Sequence, residues 1–515
     1  MKGFRFQPED TNRALAFSTN VLASLVAQYI GNQLDDIELE AARRRITEHY
    51  LKNGYINSGA LLPDQDLREG IVTFLIVEGR LTEVYVHGAN RLKPRYLQRR
   101  IELGSKPPLN LDRLADSVDI IRRNPNVRSV VADLQPVKKE GAVVLGQSVL
   151  DLRVEEASPY HVDLVLDNYR PASIGAGELL IVASDQNLTG HSDPLELQYG
   201  LLEETKDHGA EFSGLDNINV SYSIPVTVRD TTIGGFYERR SYAVIEQPFS
   251  ELNIDSSYEG YGFRMSQPLF RGGGHSLGVG LSFEHRRSEG FLLGQPFSFT
   301  PGTVGGVSED TVLRFNVDWN RSWTNQNLAL RLTVSWGLDA LGATSLPSGP
   351  DGQFVAVLGQ WQYAWRLLPE SNSGLCAGTQ FVFRGGFQWT DDPLISMEQL
   401  SLGGPGTVRG YRVNQVVRDT GVFGTVEVQI PIIRSKHNVM SLSAAPFFDA
   451  GAGWNVESSN QGLNNLSSVG VGLNLNVTRR VSARLDWGYP LRDPHNPHTD
   501  LQDLGLFFRI GCTIF

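Results

Sequence analysis

The chain has few cysteines and no long apolar run, and each shortage excludes a class of protein. Its two cysteines, Cys376 and Cys512, lie far apart and fit no metal-ligand spacing, although a disulfide between them stays open. No window approaches the roughly 18 consecutive apolar residues of a transmembrane helix. A chain of this kind can cross a membrane only as a closed β-barrel, because lipid offers no partners for unpaired backbone groups.

Signatures of catalysis and of nucleic-acid binding are also missing. The sequence contains no Gly-x-Ser-x-Gly, His-Glu-x-x-His, Cys-x-x-Cys or phosphate-loop pattern, and the neighbouring His161, Asp163, Asp167 and His191 form none of them. The glycine triplet at 272–274 precedes a strand-like segment, which predicts a hairpin turn rather than a phosphate cradle. The net charge of -11 opposes phosphate binding. We therefore predict no catalytic residue, no metal, no cofactor and no nucleic-acid partner.

What the chain contains is enough for two or more folded units: 515 residues, 41% apolar and 20% charged. The first 155 or so residues read as two copies of one module with a period of roughly 77 residues. Each copy is predicted to be β-α-α-β-β, a three-stranded sheet covered on one face by two helices. In the first copy, a helix from Asp35 to Asn53 precedes strands at 55–62 and 70–78.

The second copy repeats this order with clearer signals. Asn110 is the predicted N-cap of a helix that carries Leu111 and Leu114, and strands follow near 127–134 and 148–154. Small sheets have open edges, and an open edge can add an extended peptide as a further strand. The modules are therefore either packing units or peptide-binding units.

From about residue 157 the helical periodicity stops and apolar residues alternate with polar ones. The runs from Leu328 to Trp336 and from Val481 to Trp487 are examples, with Arg331 among the polar residues. A β-sandwich would bury the apolar set, whereas a membrane barrel would turn it to lipid and keep the charges in a wet lumen. About 360 such residues exceed a usual sandwich, so we predict an antiparallel barrel of about 16 strands. The last strand is predicted from residue 504 to the terminal Phe515.

The stretch 400–412 is rich in Gly and Pro, which excludes a regular helix and disfavours a long strand. It is predicted to be a structured loop that delivers Arg409 to a specific place. An arginine inside a lumen is costly unless it is paired, and a carboxylate matches its guanidinium in a bidentate manner. The alternative is a solvated arginine at a loop tip.

Several motifs resemble the haemolysin secretion/activation proteins, the outer-membrane transporters of two-partner secretion. The segments 109–114, 122–128 and 146–150 resemble the second polypeptide-transport-associated (POTRA) domain of that family, and residues 2–6 resemble the first strand of its first domain. The motifs at 167–168, 175–177, 187–193 and 267–271 resemble strands of its barrel. The most specific match comprises Gly403, Gly404, Val408, Arg409, Gly410, Tyr411, Asp419 and Gly421.

In the wider superfamily this match corresponds to an inward-folded sixth extracellular loop. The resemblance implies that the arginine pairs with the aspartate of a Phe-x-Asp-x-Gly strand motif, which here runs from Phe447 to Gly451. Asp449 is thus the expected partner of Arg409, and Asp486 competes with it. The implied domains are POTRA 1 at 1–79, POTRA 2 at 80–156 and a barrel at 157–515 with the loop near 400–421.

The function implied by the resemblance is translocation of a large partner exoprotein across the outer membrane. The POTRA sheet edges and the barrel mouth, in the periplasm, would capture the exoprotein unfolded, and the barrel, a monomer surrounded by lipid, would conduct it. Two alternatives stay open: an assembly factor that inserts barrels into the outer membrane, and a passive porin. Since the main insertase usually carries five POTRA domains, room for two favours the transporter.

Overall fold

The computed structural model describes residues 1–68, 70–203, 212–367, 378–435, 439–457, 462–478, 480–496 and 499–515. The described chain divides into two compact units. The first comprises Met1–Ser158 and Asn187–Ser192, and the second comprises Pro159–Gln186 and Asp193–Phe515. Cys376 lies outside the described residues, and Cys512 is a free thiol.

The first unit contains two three-stranded sheets, each associated with two helices. The elements of the first sheet and its helices are β1 (Gly3–Pro8), α1 (Thr19–Val26), α2 (Asp36–Lys52), β2 (Gly59–Leu61) and β3 (Ile71–Val77). Those of the second are β4 (Arg80–His87), α3 (Pro94–Gly104), α4 (Leu111–Arg122), β5 (Val127–Lys139) and β6 (Ala142–Glu156). The strand orders β1-β3-β2 and β4-β6-β5 each combine one parallel with one antiparallel pair. Both copies therefore have the predicted β-α-α-β-β order.

Local signals in the sequence explain where these helices begin. Asp35 and Glu38 form a capping box at the start of α2, which satisfies two otherwise unpaired backbone N–H groups. Asn110 Oδ1 accepts hydrogen bonds from the backbone N–H groups of Asp112 and Arg113 at the start of α4. Leu114 belongs to the buried core of the second sheet, whereas Leu111 is 42% exposed.

Two elements of the first module were not located correctly from the sequence. The predicted order included a helix before Asp35 but gave it no bounds; it is α1, which Ser18 caps and whose eight residues two apolar side chains anchor in the core. The strand expected at 55–62 is reduced to Gly59–Leu61. Residues 53–58 form turns instead, because the N–H groups of Tyr55 and Ser58 bond to the carbonyls of Tyr50 and Tyr55 and are not free for a ladder.

Tyr50 is the largest polar side chain in the first core. It is fully buried, and its hydroxyl donates a 2.9 Å hydrogen bond to Glu78 Oε1. Burial, together with the adjacent Glu78 carboxylate, raises the pKa of Tyr50 above its usual value. The hydroxyl therefore remains a neutral donor.

The second unit is a closed antiparallel barrel, as predicted. The first strands are β7 (Tyr160–Asp167), β8 (Glu178–Asp185), β9 (Leu195–Glu203), β10 (Phe212–Pro225), β11 (Thr232–Ala243), β12 (Ile254–Gly272) and β13 (His275–Leu292). After a two-residue extension, β14 (Gln295–Pro296), come β15 (Val307–Ser322), β16 (Gln326–Gly337), β17 (Val355–Arg366) and β18 (Gln380–Thr390). The remaining strands of the wall are β21 (Thr420–Arg434), β22 (Met440–Trp454), β23 (Asn465–Val477), β24 (Val481–Pro490) and β25 (Leu506–Thr513). Leaving β14 aside, the described residues form sixteen wall strands, and β25 pairs with β7 to close them.

Side chains along the wall follow the predicted alternation. Apolar residues of one parity are exposed on the outside, among them Leu281, Phe315, Leu332, Val426, Phe448, Val471 and Leu485. Residues of the other parity point inwards and include the buried Thr425, Glu427, Asp449, Ser468 and Asp486. An outward apolar band around a polar interior is the arrangement of an outer-membrane barrel. Among the described residues, no helix combines the length and apolarity needed to cross a bilayer.

The connections at the two ends of the barrel differ in length. Tight turns at 273–274 and 323–325 join strands at one end, and the first of these is the predicted glycine hairpin. At the other end, residues 391–419 form a long loop between β18 and β21. Short turns at one end and longer loops at the other are typical of outer-membrane barrels.

The last strand begins later than predicted. Leu504 belongs to a 3₁₀ turn, Leu501–Leu504, which Asp500 caps and which Gly505 ends in the left-handed region at φ 71°. Strand β25 therefore starts at Leu506 and ends at Thr513. Phe515 lies beyond it and is 73% exposed.

Candidate functional site

The long loop at 391–419 folds into the barrel interior. Its two short strands, β19 (Leu400–Leu402) and β20 (Val416–Arg418), pair antiparallel with each other. Between them the chain turns so that Val408, Arg409 and Tyr411 are all fully buried. Val408 and Tyr411 belong to an apolar cluster, whereas Arg409 does not. The other members of the cluster are Leu400, Leu402, Val416 and the wall residue Leu466. The loop thus has a core of its own against the wall.

Two glycines allow the chain to make this turn. Gly403 has φ 112°, and a Cβ there would lie 2.2 Å from the carbonyl oxygen of Arg412. Gly410 has φ 87°, and a Cβ there would lie 2.8 Å from the carbonyl oxygen of Gly488 on β24. Only glycine combines this backbone conformation with so close an approach to another main chain. The Gly-rich composition of the loop therefore positions Arg409 at the wall.

Arg409 binds the Asp449 carboxylate in a bidentate manner. Its Nε lies 2.7 Å from Oδ2 and its Nη2 lies 2.9 Å from Oδ1. The Arg409 backbone N–H donates a further 3.0 Å bond to Oδ2. Among the described residues, every hydrogen bond to this carboxylate comes from Arg409. The two side chains are 0% exposed.

Two more carboxylates and one more arginine complete the cluster. Arg409 Nη1 donates to Glu427 Oε2 at 2.7 Å and to Asp486 Oδ1 at 3.2 Å. Arg484 shares both acids, at 3.0 Å from Glu427 Oε2 and 2.6 Å from Asp486 Oδ2. The competing partner Asp486 is therefore an additional ligand of Arg409 rather than a substitute for Asp449. Such a fully hydrogen-bonded network is the condition under which buried charges are tolerated.

The remaining motif residues fix the loop around Arg409. The Phe447 ring centroid lies 3.3 Å from the Arg409 Cζ, a cation–π contact, and a Cβ on Gly451 would lie 3.1 Å from Val408. The Tyr411 hydroxyl donates a 2.9 Å bond to the carbonyl of Ser467. The motif on β22 thus contributes an aromatic face, a carboxylate and space for Val408.

Asp419 closes the base of the loop. Its Oδ1 accepts from the Leu394 N–H at 3.1 Å and from Gln399 Nε2 at 2.8 Å, and its Oδ2 accepts from the Val456 N–H at 3.0 Å. Gly421 follows on β21, where a Cβ would lie 2.7 Å from the carbonyl oxygen of Ala452. Gly404 has φ 84° and its N–H bonds to the carbonyl of Tyr411. The barrel motif residues therefore lie in one connected region, whereas Asn110, Leu111 and Leu114 belong to the first unit.

Sequence reasoning missed Glu427, although its parity offered a signal. It is a single carboxylate between the outward-facing Val426 and the apolar Val428 on β21, and so it had to point inwards.

Arg412 was also missed as a functional residue. Arg412 binds Asp503 at 2.5 and 2.8 Å and Glu246 at 3.0 and 2.8 Å, and it thereby ties the loop to two others.

Asp503 belongs to the connection between β24 and β25. Burial alone would raise the pKa of Asp503, but the hydrogen bonds from Arg412 outweigh this and lower it. Among the described residues, no group of three or more His, Cys, Asp or Glu side chains is arranged to hold a metal ion. The site is thus a set of buried ion pairs that holds a loop.

Comparison with known protein families assigns the chain to one of them. The sequence model of the haemolysin secretion/activation proteins ShlB/FhaC/HecB matches residues 146–475, and that of the ShlB-type POTRA domain matches residues 9–79. The chain belongs to this family. The predicted family and fold class are confirmed. Family membership places the barrel in the outer membrane and the POTRA domains in the periplasm.

Curated relatives agree with this assignment. The chain is 24% identical over 405 residues to the outer membrane transporter CdiB of Escherichia coli O6:K15:H31, covering 78% of this chain and 64% of that protein. It is 23% identical over 485 residues to the heme/hemopexin transporter protein HuxB of Haemophilus influenzae, with 92% and 81% covered. It is 22% identical to the hemolysin transporter protein ShlB of Serratia marcescens, with 91% and 79% covered.

Solved structures show the same fold. CdiB from Escherichia coli superimposes with a TM-score of 0.71 at 22% identity, covering 99% of this chain and 90% of that one. BamA from Haemophilus ducreyi lacking POTRA domains 1–3 gives a TM-score of 0.57 at 14% identity, with 100% and 99% covered.

Proposed function

We propose that the chain exports a partner exoprotein across the outer membrane by two-partner secretion. The observation that carries this proposal is the inward-folded loop, whose Arg409 is buried against three wall carboxylates. Arginine is rarely fully buried unless it is paired, so the buried cluster indicates that the loop has a fixed position in the barrel. Membership of the haemolysin secretion/activation family supports the same reading.

The barrel interior supports passage of an unfolded chain. A cavity of about 700 Å³ is lined by charges of both signs, among them Arg264, Glu284, Arg314, Asp318 and Arg331. An unfolded segment exposes its backbone N–H and C=O groups, which need water or polar partners along the whole route. A hydrated lumen with mixed charges provides both without selecting one sequence.

The first unit supports capture of that chain before it enters the barrel. A cleft of about 300 Å³ runs beside the short edge strand β2 and is flanked by the exposed Ile56, Val143 and Leu145. An extended peptide can add to a sheet edge through main-chain hydrogen bonds, while apolar side chains hold its side chains. We assign residues 1–79 and 80–156 to two POTRA domains with this role and residues 157–515 to the conducting barrel.

The same proposal assigns a role to each residue of the loop site. Arg409 and its partners Asp449, Asp486 and Glu427 hold the loop in its resting position, and Val408, Gly410 and Tyr411 shape the contact. The loop acts in gating and has no catalytic part. The exoprotein is a haemolysin- or adhesin-like protein, bound unfolded by a monomeric transporter.

Secretion in a host that has no such transporter tests the proposal. The full chain is co-expressed with candidate large secreted proteins of the same organism, and each exoprotein is measured in medium, periplasm and outer membrane. Appearance in the medium only when the transporter is present is the expected result. If the exoprotein stays in the periplasm while the chain rescues depletion of the host's barrel insertase, the chain is an assembly factor. If the exoprotein stays in the periplasm and the chain only forms ion-conducting pores, the chain is a porin.

A further inference from the structure

A linker of two residues joins the first and second modules of the first unit, and both modules bind it. Glu78 and Gly79 lie between strands β3 and β4. The Gly79 N–H donates a 2.8 Å hydrogen bond to Ser58 Oγ in the first module. The Gly79 carbonyl accepts a 2.7 Å bond from the Leu109 N–H in the second module. Since both polar main-chain groups of Gly79 are bonded, the linker leaves no free segment about which the modules could turn.

Asn110 connects the two modules with the same side chain that caps a helix. Its Oδ1 accepts two backbone N–H bonds in the first turn of α4, in the second module. Its Nδ2 donates a 2.9 Å bond to the carbonyl of Asn53, the residue at which α2 of the first module ends. The Leu111 N–H donates a parallel 2.8 Å bond to the Gly54 carbonyl. The Asn110 amide therefore satisfies unpaired groups at two helix ends, one in each module.

Glycines allow the modules to approach this closely. Gly54 has φ 84°, and a Cβ there would lie 2.9 Å from Asn110 Nδ2. A Cβ on Gly79 would lie 1.8 Å from Asn57 Oδ1. Asn57 in turn donates a 3.1 Å bond from Nδ2 to Ser148 Oγ in the second module. The interface thus combines several specific hydrogen bonds with main chains that no side chain separates.

The two modules together form the walls of the cleft of about 300 Å³. Strand β2 and Ile56 line it from the first module, and residues 143–148 line it from the second. Ile56, Val143 and Leu145 are exposed there. Because opposite walls belong to different modules, the angle between the modules sets the width of the cleft.

We propose that Asn110 is a positioning residue that fixes the angle between the two modules through its side-chain N–H group, so that the cleft is formed before any ligand arrives. A preformed cleft spares the binding reaction the cost of ordering two mobile modules. The inference rests on the proposed function for what the cleft receives, an extended segment of the exoprotein. The fixed angle itself can be measured without any exoprotein.

Asn110→Asp separates the two roles of this side chain. Aspartate caps helices as well as asparagine does, so the start of α4 keeps its acceptor. The N–H donor is lost, and a carboxylate oxygen faces the Asn53 carbonyl instead. Asp35→Asn is the matched control, because Asp35 caps α2 and its described hydrogen bonds stay within the first module.

Distances between two spin labels on the full chain, measured by double electron–electron resonance, provide the test. The labels are placed on cysteines introduced at Ile37 in the first module and Asp116 in the second, both exposed, with Cys376 and Cys512 replaced by serine. The wild-type side chain at position 110 is expected to give a narrow distance distribution. Asn110→Asp is expected to broaden it severalfold and to lower secretion severalfold, whereas Asp35→Asn should match the wild type in both.

Resistance of the modules to added protease is measured in parallel and should be unchanged in Asn110→Asp. A distribution as narrow as that of the wild type would overturn the proposal. Loss of protease resistance would also overturn it, because Asn110 would then act through the fold of its own module. Full secretion despite a broadened distribution would refute the positioning role. If the wild-type chain secretes nothing but the distances respond as expected, the fixed angle is supported and only the proposed function fails.

Discussion

Arg409 supplies three hydrogen bonds to Asp449, two from its guanidinium and one from its backbone N–H. This relationship joins a loop residue to the wall through both side chain and main chain, 40 residues apart in sequence. The backbone contribution requires the tight approach of Gly410 to Gly488, so the glycine and the ion pair depend on each other.

Lysine should not replace Arg409. Arg409→Lys keeps the positive charge but cannot bind Asp449 in a bidentate manner while also reaching Glu427 and Asp486. Barrel stability can be measured as the temperature at which the electrophoretic mobility of the protein shifts in detergent. We expect Arg409→Lys to lower this mobility-shift temperature almost as far as Arg409→Ala does. Breaking a buried pair on one side costs about 3–5 kcal/mol, so the shift should be large. A lysine variant with wild-type stability would refute the bidentate role.

The three carboxylates should differ in importance. Glu427 and Asp486 share Arg484, whereas the described hydrogen bonds of Asp449 all come from Arg409. Glu427→Gln is therefore expected to be milder than Asp449→Asn, both in the mobility-shift temperature and in secretion. Equal effects of the two substitutions would mean that the cluster acts only through its total charge.

Two nearby glycines provide a matched pair for the turn geometry. Gly410→Ala would introduce a Cβ at φ 87° and 2.8 Å from a backbone oxygen, whereas a Cβ on Gly406 would meet no atom within 4 Å. Gly410→Ala should expose the loop to external protease in intact cells and reduce secretion, since Arg409 can no longer reach the wall. Gly406→Ala should leave both measurements unchanged. The reverse order would contradict the assigned geometry.

Low pH should weaken the ion pair between Arg412 and Asp503. Because the folded-state pKa of Asp503 is lowered, its contribution is present above the unfolded value of about 3.9 and is lost as the pH falls below it. The difference in mobility-shift temperature between wild type and Asp503→Asn is expected to be constant from pH 7 to about pH 4 and to shrink below that. A difference that does not depend on pH in this window would exclude the ion pair as its source.

Much of the fold could be predicted because the barrel pattern has a period of two. Residues such as Leu332 and Val426 had to face one side and Arg314 and Asp449 the other, whatever the detailed packing. Helices that begin at a capping residue, such as α4 after Asn110, could be predicted equally well. Helix α1 was implied by the repeated module but could not be located, because its eight residues carry no charge pattern and depend on the core for their stability.

The candidate site was only partly predictable for a related reason. The loop motif and the β22 motif lie 40 residues apart, and only a family resemblance connected them before the structure brought Arg409 to Asp449. Glu246 and Asp503 carry no motif, and their partner Arg412 lies 166 and 91 residues away in sequence. Such contacts depend on how the loop crosses the lumen, which local patterns do not encode.

Secretion by Arg409→Ala, compared with wild type at equal amounts of assembled protein in the outer membrane, tests the central claim most directly. If the buried arginine holds the loop that transport requires, the amount of exoprotein in the medium should fall strongly and exoprotein should accumulate in the periplasm. The folded barrel should still be detected by its heat-dependent shift in electrophoretic mobility. Undiminished secretion by assembled Arg409→Ala would contradict the account.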